Sequence, residues 1–64
     1  MAKTTITFED PNNPPNPGAV RTYPDGAAPV CSDHGCHDAS MMQTGWKIKR
    51  PNEPWLTILT VVTE

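Results

Sequence analysis

Trp55-Leu56-Thr57-Ile58-Leu59-Thr60-Val61-Val62-Thr63 is the longest run of apolar and β-branched side chains in a chain of 64 residues. Such a run reads as a β-strand. In an uninterrupted strand successive side chains point to opposite faces. Leu56, Ile58 and Val62 then point one way, and Trp55, Leu59 and Val61 the other. A strand apolar on both faces is either central and covered twice, or it leaves one face for a partner.

The stretch before it alternates in the same manner. Trp46, Ile48 and Arg50 interleave with Lys47 and Lys49, and only Pro51-Asn52-Glu53-Pro54 separates this segment from the long run. So short a connector makes 46–50 and 55–63 hairpin partners. Near the other end, Thr4-Thr5-Ile6-Thr7-Phe8 alternates small polar with apolar residues and stops at Asp10-Pro11, with Ile6 and Phe8 on the core side. The expected fold is therefore a small mainly-β (or α+β) domain. Its core is a three-stranded, largely antiparallel sheet of about 3–9, 46–50 and 55–63, with 55–63 in the middle.

The remainder reads as irregular. Pro11 to Gly18 holds four prolines in eight residues and no bulky apolar side chain, the composition of an extended connector. Its overlapping PxxP spacings, Pro11 to Pro14 and Pro14 to Pro17, lack a flanking basic anchor, so a linker is expected rather than a recognition motif. Val20-Arg21-Thr22-Tyr23 can form a short strand, followed by a Pro24-Asp25-Gly26 turn. Pro29 restricts any return strand through 27–30 to a sheet edge. At most one short helix is expected, near 38–44, with Asp38 as N-cap, Gly45 beyond its end, and Met41 and Met42 as core filler. All of 1–64 belongs to a single domain.

Five Lys and Arg against seven Asp and Glu give a formal charge of -2. That balance disfavours duplex binding, which rests on neutralising several phosphates. No stretch approaches the length of a membrane span, and the opening residues have no apolar signal core, so a cytoplasmic protein is expected.

Cys31-Ser32-Asp33-His34-Gly35-Cys36-His37 gathers both cysteines and both histidines of the chain into one loop, 31–37. Three readings stay open. Cys31, His34, Cys36 and His37 form a Cys2His2 zinc set by composition, although all four lie on one arm and Cys36 and His37 are adjacent. Alternatively, Cys31 and Cys36 close a six-residue disulfide loop, with Gly35 easing the turn. In the third reading the cysteines pack as small apolar groups and the histidines are solvated. Zinc is the one cofactor this chemistry would suit, and a chain this small commonly relies on some such staple. Catalysis by a cysteine needs an activating base and an oxyanion site, and no motif supplies them, so no enzyme is expected.

The opening Met1-Ala2-Lys3-Thr4-Thr5-Ile6-Thr7-Phe8-Glu9-Asp10 resembles the starts of short accessory proteins encoded by tailed bacteriophages and prophages. The resemblance covers ten residues. It implies a protein of the kind that binds and blocks or modulates a larger host protein in the bacterial cytoplasm, including host defence systems.

Tryptophan often anchors protein interfaces. The expected contact residues are Trp55, Leu59 and Val61, with Trp46 more often core than contact, and the same face could join two copies of the chain. The competing expectation is a zinc-stabilised module that binds protein, or single-stranded nucleic acid through Trp46, Lys47, Lys49 and Arg50.

Overall fold

The computed structural model describes residues 2–64; Met1, where the expected 1–64 domain starts, lies outside them. The described residues form six strands: β1 (Lys3–Glu9), β2 (Pro17–Pro24), β3 (Val30–Ser32), β4 (Gly35–His37), β5 (Lys47–Ile48) and β6 (Leu56–Thr63). They form one antiparallel sheet in the order β2-β1-β6-β5-β3-β4. The three strands expected from the sequence are its middle, with β6 between β1 and β5. The expectation of only three strands understates the sheet, because β2 extends it on one side and the β3–β4 hairpin on the other.

Each addition has a local cause. Residues 10–16 do not form an extended connector but a compact reversal, with Asp10 N–H bonded to the Asn16 carbonyl at 2.8 Å and Asn16 N–H to the Asn13 carbonyl at 3.0 Å. The Asp10 carboxylate also accepts the Asn12 N–H at 2.9 Å, an Asx turn that helps fold the loop back. Pro17 and Gly18, expected in the connector, open β2 instead. A Cβ at Gly18 would lie 2.9 Å from Asp10 Cα, so this crossing accepts only glycine without a backbone shift. β2 carries proline at both ends, which is tolerated because it is the edge strand.

The β1–β6 ladder contains the decisive irregularity. Thr7 faces Thr60 but Phe8 faces Ile58, so Leu59 is the extra residue of a β-bulge. The freed Leu59 carbonyl accepts a hydrogen bond from the Thr44 hydroxyl at 3.0 Å. Beyond the bulge the alternation of β6 changes phase. Leu56 and Ile58 are buried, yet Val61 packs against the core and Val62 is 54% exposed. The expected grouping of Trp55, Leu59 and Val61 on one face, opposite Val62, is thereby corrected.

All core side chains lie on one side of the sheet. Ile6, Phe8 and Ile58 are fully buried and are joined by Val30, Ala39, Met42, Ile48 and Leu56, with Tyr23, Trp46 and Val61 packed against them. Strands from both ends of the sheet thus meet one core, which requires the sheet to curl around it. The lid is a single 3-10 turn, Ala39–Met41, in place of the helix expected over 38–44. Asp38 makes no side-chain cap bond there. Gly45, at φ +94°, serves the sheet instead, giving its N–H to the Ile58 carbonyl at 2.9 Å. Of the two methionines only Met42 fills the core; Met41 is 56% exposed.

The other face is uncovered. Directly opposed residues share a face, so the pairs Thr5–Thr22, Thr5–Val62, Thr7–Val20 and Thr7–Thr60 place a patch of threonines and two valines on the outer side. The bulge makes a sharp comparison: Val61→Asp should lower stability by about 2 kcal/mol in urea unfolding, whereas Val62→Asp should change it by less than about 0.5 kcal/mol. A larger effect at Val62 than at Val61 would show that the strand keeps its alternation through residue 59.

Candidate functional site

Two surface features combine chemistry-bearing side chains with a defined geometry. The first is the β3–β4 hairpin. Val30 pairs with His37, Cys31 with Cys36, and Ser32 with Gly35, leaving Asp33 and His34 as a two-residue turn. The turn is built by its own side chains. Ser32 Oγ donates to the Gly35 carbonyl at 2.9 Å and accepts from the His34 N–H at 3.0 Å, while Gly35 supplies φ +102°. Asp33 then fastens the hairpin to β5: its N–H donates to the Lys47 carbonyl at 3.0 Å and its carboxylate accepts the Lys47 N–H at 3.1 Å.

Cys31 and Cys36 are joined as a disulfide across this hairpin. Of the three readings that the sequence leaves open, the structure takes the second. A Cys2His2 site needs both thiolates, so zinc coordination by Cys31, His34, Cys36 and His37 and the Cys31–Cys36 bond are mutually exclusive states of one loop. Among the described residues no group of three or more His, Cys, Asp or Glu side chains is arranged to hold a metal. The histidines are engaged otherwise. His34 stacks on the Trp46 indole with ring centroids 4.5 Å apart and planes inclined by 23°, and His37 tilts against the same indole at 6.0 Å. The His37 ring also lies 3.2 Å from the His34 carbonyl through Nε2. Trp46 is therefore half-buried between the core and two imidazoles, a partnership that sequence spacing could not reveal.

The second feature is Trp55. Its indole is 52% exposed at the start of β6, beside a shallow depression that it shares with Asp33 and Lys47. Leu59, also expected at the contact, is half-buried at the bulge, and Val61 is turned inward. The expected basic strip does not form one surface either. Lys47 pairs with Thr57, whereas Lys49 and Arg50 line a separate cleft with Arg21 of β2. No helix of the described residues is long and apolar enough to cross a membrane. The chain matches no protein-family model, no curated protein and no solved structure.

The disulfide closes a loop of six residues, for which chain entropy gives about 2 kcal/mol. Reduction, or replacement of both cysteines by serine, should lower the free energy of urea unfolding by about that amount. The hairpin should persist, because its backbone pairing and the Ser32 bonds do not involve sulfur; loss of the 31–36 cross-strand nuclear Overhauser contacts on reduction would contradict this.

Proposed function

We propose that this chain is a non-enzymatic binding protein that engages a larger protein, in keeping with the phage-type accessory proteins its first ten residues resemble. The observation that carries the reading is Trp55. A large amphipathic side chain held half-exposed, next to an acid and a base that can set orientation, is the composition of an interface anchor. The surface that accompanies it is the outer face of the sheet, with Val62 and Val20 exposed at 54% and 56%. Threonines around them supply hydroxyls that can pair across an interface or face water with little cost. Val61 takes no part, since it lies under the sheet, and Trp46 packs on the core with the His34 ring stacked against it.

The target class is a host protein, bound so that its activity is blocked or modulated in the bacterial cytoplasm. There the Cys31–Cys36 pair would be held reduced by the thiol pool. Trp55, just before β6, and the outer face of β6, β1 and β2 lie outside the disulfide loop, and Asp33 is held by its own bonds to Lys47 as well as by that loop.

The test is capture from a bacterial lysate followed by identification of the retained protein. Trp55→Ala should weaken that complex by about 30-fold, the scale of a tryptophan hot spot, while Met41→Ala, equally exposed on the lid, should leave it unchanged. If instead the chain sediments as a dimer that Val62→Asp dissociates, the outer face joins two copies of this chain and the host-partner reading is wrong for that surface.

A further inference from the structure

A cleft of about 370 Å³ opens where the curled sheet brings β2 back towards β3 and β5, between Arg21 and Tyr23 on one wall and Val30, Ile48, Lys49 and Arg50 on the other. Three of the five Lys and Arg residues in the whole chain line it, although the chain carries a formal charge of -2. Against these three cations stands one carboxylate. Glu53 contacts Arg21 Nη2 through Oε1 at 3.5 Å and Arg50 Nε through Oε2 at 3.4 Å. Both contacts are long for charge-assisted hydrogen bonds, which close to about 2.7–2.9 Å when well formed. One carboxylate shared between two guanidinium groups leaves most of their ten N–H donors without an anionic acceptor.

A second observation points to the same place. Among the described residues, the buried side-chain nitrogens and oxygens that have no hydrogen-bond partner are Arg21 Nε and Arg50 Nη1. Both residues line this cleft, with these two nitrogens lying beneath its surface. Buried donors without acceptors are uncommon in folded proteins, and a site that collects two of them on adjacent guanidinium groups is prepared for an oxyanion.

We propose that the Arg21–Lys49–Arg50 cleft is an oxyanion site that takes the carboxylates of an acidic peptide segment, with Glu53 as an internal competitor that the ligand displaces. Paired planar guanidinium groups fit carboxylates in bidentate fashion. Beside the cations, Pro29 and Pro51 add apolar patches to a mixed lining, which suit the side chains between acidic residues better than a uniformly charged backbone. Three cations on a net-negative chain also fall short of what a nucleic-acid strand requires. The assignment rests on the binding-protein reading, and it names the chemistry that a partner would bring.

The experiment is a titration of the isotopically labelled protein with hexaglutamate, following the Nε–H resonances of Arg21 and Arg50, with a hexathymidylate strand as the comparison. Hexaglutamate should shift both resonances saturably. Arg21→Gln should weaken binding about tenfold or more, and Glu53→Gln should strengthen it about tenfold by removing the competitor. The opposite sign of the second variant guards against loss of fold, since Glu53 is a surface residue whose replacement need not disturb the core. No saturable shift, or a Glu53→Gln protein that binds no more tightly, overturns the site. Saturation by hexathymidylate and not by hexaglutamate overturns the peptide assignment. The titration uses no host protein, so a failed lysate capture and a failed titration are separate results.

Discussion

The pairing of β6 on both of its edges is the constraint from which the rest of this structure follows. β6 donates to β1 on one side and β5 on the other, and it contributes two of the buried core side chains, Leu56 and Ile58. Because all the apolar side chains of a chain this small must share one core, the sheet has to wrap around the side on which those residues lie. That wrapping buries Phe8 and Ile6, brings Tyr23 over the same core, and leaves the lid to one 3-10 turn. It also leaves the opposite face of the sheet bare.

The bulge at Leu59 adapts this strand to the wrap. An unbroken alternation would have buried Val62 and turned Val61 outward. With one extra residue the strand bends, Val61 rejoins the core, and Thr63 comes into line with Thr4, whose hydroxyl lies 3.2 Å from its own. That contact matters because Thr4 is a buried polar residue, 4% exposed, and an unpartnered hydroxyl there would be costly. The polar residues around the bulge therefore settle the phase: Thr44 satisfies the bulge carbonyl and Thr63 satisfies Thr4.

What the sequence disclosed and withheld follows from the range of each interaction. β1 was legible to the residue, because its alternation is clean and Pro11 stops it. The centrality of β6 was legible from its two apolar faces and from short connections. The bulge was not, since Leu59-Thr60-Val61-Val62 offers an apolar residue to the core in either phase and only the ladder decides. β2 was underestimated because Pro17 and Pro24 argue against a strand unless it is known to be an edge. The CSDHGCH loop showed its composition but not its state, for the choice between metal, disulfide and free thiols turns on a hairpin whose Asp33-His34 turn has no strong signature. The acid and base geometry around Arg21, Arg50 and Glu53 was hidden altogether. Arg50 and Glu53 are close along the chain, but Arg21 joins them only through curling of the sheet, a long-range event that no local pattern records.

The β1–β6 pairing also bears on how the protein comes into being on the ribosome. Of the strands in this chain, β1 is made first and β6 last, and at a synthesis rate of ~5–20 residues per second they are separated by several seconds. During that interval Ile6 and Phe8 have only the β2 hairpin beside them and no core to enter. The tight 10–16 reversal can hold that hairpin together while the nascent chain waits, and its threonine-rich face keeps the waiting pair hydrated. The central position of the sheet is thus filled by the strand that is made last among those described.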